Sequence, residues 1–274
     1  MQRLTRETNY SEATFVESTT DPYDVRIFDP VEELPFAGHP TLGTAFVLRE
    51  YVCEDSPDEL TLNLGVGEIP VWVEREGGEE IFWMRQIPPS FKGTIDHELA
   101  ARVLSLAESD IDHDYPVQLV STGLPTLVVP LESLDALQRA ETNHDPYYEE
   151  LIEPYGNLNI LLFAPESHGD GDQSEEAPED NDLSVRVFAD CGGVPEDPAT
   201  GSSNGCLAAY LVANDYFDGE RIDVRVEQGY EMDRPSLLYL RASRTDADGE
   251  NEAVPTIEVE VGGRVIPVAE GRLI

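Results

Sequence analysis

The sequence predicts an α+β fold built as two similar halves, and three observations carry that expectation. The first is a repeated unit. Val25-Arg26-Ile27-Phe28 answers Val185-Arg186-Val187-Phe188, and each is followed by a glycine-bearing loop and an apolar helix: Ala37-Gly38-His39-Pro40 in one case, Pro198-Ala199-Thr200-Gly201 in the other. Copies so far apart are not neighbouring turns of a solenoid, whose repeats recur every ~20–50 residues, so they read as two domains facing each other with a site between them. The second is the strand pattern, which runs in meanders broken by isolated helices rather than in alternating βαβ crossovers. The third is length, since 274 residues suit two ordinary domains, each able to bury a core.

In chain order, residues 1–8 read as the end of a helix, 10–16 as a strand with Ser11 and Glu12 where it begins, and 23–28 as the next strand. Glu33-Leu34-Pro35 leads into the first loop. The helix after it should begin near Pro40, whose missing N–H costs nothing in a first turn, with Leu42, Ala45, Phe46 and Arg49 on one face. From 59 to 86 come three strands, ELTLNL, EIPVWVERE and EIFWMRQ, separated by the turn residues Gly65-Val66-Gly67 and Gly77-Gly78. Pro88-Pro89 should stop the sheet and start a crossover. Ile95, Leu99, Val103 and Leu104 then fall at helical spacing, and 117–131 supplies two strands around Ser121-Thr122-Gly123-Leu124-Pro125. A short helix over 146–154 and a strand over 157–163 lead to the run 166–182, which holds eight acidic residues and no Lys or Arg. It reads as a solvated loop insertion, because its spacing does not match a calcium-binding loop. After the second repeat come strands at 222–228, 236–243 and 255–261, with an acidic turn at 246–252.

Composition narrows the partners. A formal charge of −39, from 56 acidic and 17 basic residues with Lys92 as the single lysine, leaves no basic stripe to neutralise a phosphate backbone or an anionic membrane. Hydrophobic residues still make up 40%, so the chain folds rather than staying disordered. Acid at this density suits a salt-rich cytoplasm, where a Debye length of ~3 Å at 1 M relieves self-repulsion, and a halophilic source is expected. Cys53, Cys191 and Cys206 show no CxxC or Cys/His spacing, which argues against a disulfide framework and against a metal site. The opening MQRLTRETNY has no apolar core and no later run approaches ~18 apolar residues, so a soluble, cytoplasmic protein is expected.

A glycine-bearing loop that opens a helix lets backbone N–H groups converge on an anion, helped by the helix dipole. Two such loops favour a small carboxylate over a nucleotide, since there is no GxxxxGK[ST] and no GxGxxG after a strand, and no cofactor is implied. The acid/base candidates are Glu12, His39 and Asp197. Taken alone they read more readily as a solvated carboxylate, a loop-packing imidazole and a turn-former before Pro198. Serine hydrolysis lacks its nucleophile elbow.

Taken together, Ser11-Glu12-Ala13-Thr14-Phe15-Val16, Glu33 through Thr41 (ELPFAGHPT), Ser121-Thr122-Gly123-Leu124-Pro125, Val194 through Ser202 (VPEDPATGS), and Gln228-Gly229 with Arg234-Pro235-Ser236 resemble the PhzF-like (phenazine biosynthesis) family. The resemblance implies a diaminopimelate epimerase-like fold of two pseudo-symmetric domains, each a β-sheet wrapped round a central helix. Domain bounds would be 1–92 with about 265–274, and 93–264 carrying the acidic insertion. It further implies a homodimer and a cofactor-independent isomerase that moves a proton on a small carboxylate-bearing metabolite. Glu12 would be the proton shuttle, His39 and Asp197 would assist it, and Gly38, Thr200, Gly201 and Ser202 would bind substrate. Desolvation and the substrate's negative charge should raise the pKa of Glu12. Three departures stand out: the family has a further stretch before position 1, so the first sheet is expected to be incomplete; Gly is frequent where Asp233 stands; and the acidic insertion is unusual. Diaminopimelate epimerases use paired cysteines, whereas Ala37 and Thr200 stand near those places here. The alternative function is a non-catalytic small-anion binding protein, and Glu12 separates the two, because a binder gains nothing from a carboxylate aimed at a carboxylate.

The charge makes a direct prediction. The melting temperature should rise steeply from dilute buffer to molar KCl, and light scattering at high salt should give twice the 30.3 kDa chain mass. A flat melting curve contradicts the halophilic reading, and a 30.3 kDa species contradicts the dimer.

Overall fold

A computed structural model describes residues 1–169, 181–190, 194–245 and 256–272. Most of the acidic insertion (170–180), Cys191 and the turn at 246–252 lie outside the described residues. The chain forms two compact units, residues 1–85 with 262–274, and residues 86–261.

The first unit holds α1 (Gln2–Thr8), β1 (Ala13–Val16), β2 (Tyr23–Phe28), β3 (Glu33–Leu34), α2 (Gly38–Val47), β4 (Glu59–Leu64), β5 (Gly67–Glu76) and β6 (Glu79–Arg85). Its strand order is β1-β2-β4-β5-β6, with β3 added to β2. β2 and β4 are parallel, while β4, β5 and β6 form the expected antiparallel meander. The β5–β6 hairpin turns on Gly77 (φ 59°) and Gly78 (φ 91°), since a two-residue turn of this hand needs positive φ at both positions. Helix α2 packs on β1, β4 and β6 and buries Gly38, Pro40, Thr41, Leu42, Thr44 and Ala45, more of its circumference than one apolar stripe would. A π-helical turn, Leu48–Val52, extends it and buries Arg49, whose guanidinium meets Glu50, Asp58 and Glu80 rather than serving as part of an apolar face.

The second unit runs β7 (Ser90–Ile95), α3 (His97–Val103), β8 (Val117–Ser121), β9 (Pro125–Pro130), α4 (Leu134–Arg139), α5 (His144–Pro146), α6 (Glu153–Tyr155), β10 (Asn159–Ala164), β11 (Leu183–Ala189), β12 (Val194–Asp197), α7 (Gly201–Ala213), β13 (Arg221–Gln228), β14 (Ser236–Thr245) and β15 (Thr256–Gly263). Strand order is β15-β14-β13-β11-β10-β9-β8-β7, with β12 on β11. Helix α7 is buried at every position from Gly201 to Val212 and packs on β8, β9, β10, β13 and β14, which makes it the unit's central helix. Such all-round burial needs small residues, and GSSNG in its first turns provides them. At Gly205 a Cβ would overlap the Gln86 side chain. Away from α7, Leu104, Leu137, Tyr147 and Leu151 from the outer helical segments pack against Leu127, Val129, Ile160 and Leu162 of the strands in one apolar cluster.

Where a crossover was expected after Pro88-Pro89, the chain instead makes edge strand β7. Its pairing with β8 is interrupted between Phe91 and Thr94, so Lys92 and Gly93 fall in a bulge. A lysine and a bulge both spoil a free edge as a template for another strand. Asp233 stands at φ 54°, in the left-handed region that glycine adopts without strain.

The sequence repeat now has a physical meaning. Arg26 of β2 makes a two-pronged contact with Glu33 of β3 (2.8 and 2.7 Å) and lies over the Phe28 ring. Arg186 of β11 does the same with Glu196 of β12 (2.9 and 2.8 Å) and Phe188. The copies differ in burial: side-chain exposure is 41% and 46% for the first pair but 9% and 15% for the second. Arg186 also donates to the carbonyls of Leu137, Gln138 and Ala140 at the end of α4. Removing one member of a buried pair strands the other, so Arg186→Ala should lose ~3–5 kcal/mol in urea unfolding. Arg26→Ala should change stability little, because its pair is solvated. Equal losses would contradict this account of the repeat.

Candidate active site

In the first unit the site grows from the contact between β1 and α2. Thr44 of α2 donates to Thr14 of β1 (2.8 Å) and is itself shared with the Pro40 carbonyl, which pins the strand to the helix two residues past Glu12. His39, second residue of α2, is thereby set against Glu12, with Nε2 3.2 Å from Oε2. The carboxylate is 19% exposed and the imidazole 44%. The contact has ion-pair distance but poor direction, so Glu12 Oε2 is a buried oxygen without a well-aligned hydrogen-bond donor. Beside this pair α2 begins at Gly38 with no side-chain cap from its N-cap residue, Ala37. Its first-turn N–H groups carry the positive end of the helix dipole.

The expected rise in the Glu12 pKa is corrected. Burial does push the carboxyl up, but the close approach and charge of the His39 imidazole, with a smaller contribution from Ser11, more than offset it and hold Glu12 below the ordinary glutamate range. The carboxylate is therefore ionised in the free protein.

In the second unit the Pro198-Ala199-Thr200 loop is held by one buried amide. Gln228, the last residue of β13, accepts from the Thr200 N–H (3.1 Å) and from Asn204 Nδ2 (2.8 Å). It donates to the Asp197 carbonyl (2.6 Å) and the Thr200 hydroxyl (3.0 Å). The Thr200 hydroxyl in turn donates to Asp197 Oδ2 at 2.5 Å. Gly229 follows at φ 83°, so close to the carbonyls of Pro198 and Arg234 that a Cβ would overlap them. Gly201 opens α7 without a side-chain cap, and its carbonyl accepts from Gln86 Nε2 (2.9 Å). Ser202 is buried next to it.

The structure thus gathers Glu12, Gly38 and His39 in the first unit and Asp197, Thr200, Gly201 and Ser202 in the second. Sequence reasoning missed the hub residues Gln228, Asn204 and Gln86. The Gln228-Gly229 pair was visible as a motif, and a glycine beside a polar residue at a strand end was the available signal. Cys206 is buried against Thr122, and burial pushes its thiol up, which makes it a packing residue rather than a thiolate. Among the described residues no group of three or more His, Cys, Asp and Glu side chains converges as a metal site requires, and no helix is long and apolar enough to cross a membrane.

Comparison with known proteins gives four findings. The sequence profile of the PhzC-PhzF family, described as phenazine biosynthesis-like protein, matches residues 1–271. A trans-2,3-dihydro-3-hydroxyanthranilate isomerase of Pseudomonas aeruginosa is 34% identical, over 99% of this chain and 87% of its own. Among solved structures, a phenazine biosynthesis protein of the PhzF family from Bacillus anthracis superposes with a TM-score of 0.80 at 26% identity, over 96% of this chain and 85% of its own. A predicted epimerase from Pseudomonas aeruginosa superposes with a TM-score of 0.75 at 32% identity, over 100% and 87%. The fold is the expected α+β, diaminopimelate epimerase-like one.

The charge balance at Glu12 is testable by carbon-detected titration of the carboxyl. In the intact chain it should titrate below a free glutamate, and in His39→Ala it should move upward, because the main lowering partner is gone while burial remains. An unchanged Glu12 titration would show that His39 does not govern it.

Proposed function

Because the chain belongs to the PhzC-PhzF family of phenazine biosynthesis-like isomerases, we propose that it moves a proton on a small carboxylate-bearing metabolite without a cofactor. The observation that carries this reading is the Glu12–His39 pair at the N-terminus of α2. An ionised carboxylate with one poorly satisfied oxygen is a base already in its working form. It takes a proton from one substrate carbon and, once protonated, returns it to another. The substrate's own negative charge raises the Glu12 pKa during the reaction, which favours the protonated intermediate over the free state.

His39 and the Gly38 N–H stabilise negative charge as it develops on the substrate. In the second unit the Thr200 hydroxyl spends its proton on Asp197, so the Gly201 and Ser202 N–H groups at the start of α7 are the donors for the carboxylate. Asp197 holds the loop and assists through Thr200. The name of the Pseudomonas aeruginosa relative supplies a first candidate substrate, trans-2,3-dihydro-3-hydroxyanthranilate, which carries the required carboxylate. A non-catalytic anion binder is less well supported, since an ionised Glu12 would repel its ligand. A salt-rich cytoplasm and a homodimer, with neither nucleic acid nor membrane as partner, complete the proposal.

Glu12→Gln keeps the side-chain shape and removes the base. Turnover of trans-2,3-dihydro-3-hydroxyanthranilate should fall by ~10²–10⁴ while circular dichroism and binding of the same compound stay as in the unmodified chain. Full turnover in Glu12→Gln would remove Glu12 from the mechanism.

A further inference from the structure

Gln228 holds the Asp197–Thr200 loop, yet it is the last residue of its strand, and strand ends fray. On the opposite face of β13 the preceding residue, Glu227, is buried to 1% exposure. A carboxylate so buried needs several donors, and it has them: Asn181 Nδ2 (2.7 Å), the His168 backbone N–H (2.8 Å), His168 Nδ1 (2.9 Å) and the Ser184 hydroxyl (3.1 Å). The same imidazole reaches past the strand end. Its Nε2 lies 3.0 Å from Glu231 Oε1, and its ring stacks on Tyr230 with centroids 4.1 Å apart. Both Glu231 and Tyr230 belong to the 3₁₀ turn Tyr230–Met232 that follows Gly229.

One histidine therefore grips the chain on both sides of Gln228-Gly229. The two ring nitrogens thus engage two different carboxyl groups, one on each side of the strand end. Nothing in the proton-transfer chemistry uses this bridge. We propose that His168 is a positioning residue: by tying Glu227 to Glu231 it keeps Gln228 in register to hold Thr200 and Asp197. The proposal rests on the isomerase reading for its purpose, while the hold itself can be measured without substrate.

The test is amide hydrogen exchange on the full chain, read by NMR at the Thr200 N–H and at amides of β9 and β10 as controls, in His168→Gln and Glu231→Gln. Protection at Thr200 should fall about tenfold in both variants, the scale of one lost charge-assisted hydrogen bond, while β9 and β10 keep theirs. Unchanged protection at Thr200 overturns the proposal. So does an equal fall at Thr200 and in β9 and β10, which would mean general loosening. If His168→Gln fails to fold, Glu231→Gln decides alone, because Glu231 lies in a short turn rather than in the sheet. A wild-type chain that does not turn over trans-2,3-dihydro-3-hydroxyanthranilate would count against the isomerase reading and leave the exchange result standing.

Discussion

A helix buried on nearly all sides cannot rely on water to satisfy its first N–H groups, and that constraint shapes the start of α7. α7 is buried from Gly201 to Val212, and neither it nor α2 has a side-chain cap from its N-cap residue. Buried donors without such a cap must be met by neighbouring backbone, by a side-chain hub or by a ligand. Around α7 the answer is the Gln228 amide, which fixes the loop before the helix so that the first-turn donors keep their direction. Around α2 the neighbour is an ionised Glu12, held close by His39. The same local design thus leaves a fixed loop before the helix in one unit and a carboxylate beside the helix start in the other.

Divergence between the copies follows the same logic. Each keeps an arginine that forks onto a glutamate and covers a phenylalanine, so the geometry of the strand before the loop is retained. In the second unit the arginine is buried and also binds the end of α4, and that unit carries the longer, wholly buried helix. The first unit leaves its arginine pair in solvent.

Much of this was legible in the sequence because it rests on local signals. The Gly77-Gly78 hairpin and the helix start near Pro40 each depend on residues within a few positions of one another, and the repeat shows as two copies of one such local pattern. Strand β7 was missed because Pro88-Pro89 looked like a stop, whereas the chain resumes immediately as an edge strand with a bulge. The Gln228 hub was missed because its partners lie 24 to 31 residues away in sequence. The sign at Glu12 was also missed: burial acts as expected, but the approach of His39 is a tertiary fact that composition does not reveal. Family resemblance raised Glu12, His39 and Asp197 above their ordinary structural readings, and the geometry then assigned Asp197 first to its bond with Thr200.

The central claim is that one carboxylate carries a proton from carbon to carbon. Its most direct test is NMR of the product that metal-free protein makes from trans-2,3-dihydro-3-hydroxyanthranilate in D₂O. The account predicts deuterium at the one carbon that gains hydrogen, none at any other carbon, and almost no product from Glu12→Gln. Product labelled at several carbons, or formed by Glu12→Gln as fast as by the unmodified chain, would contradict it.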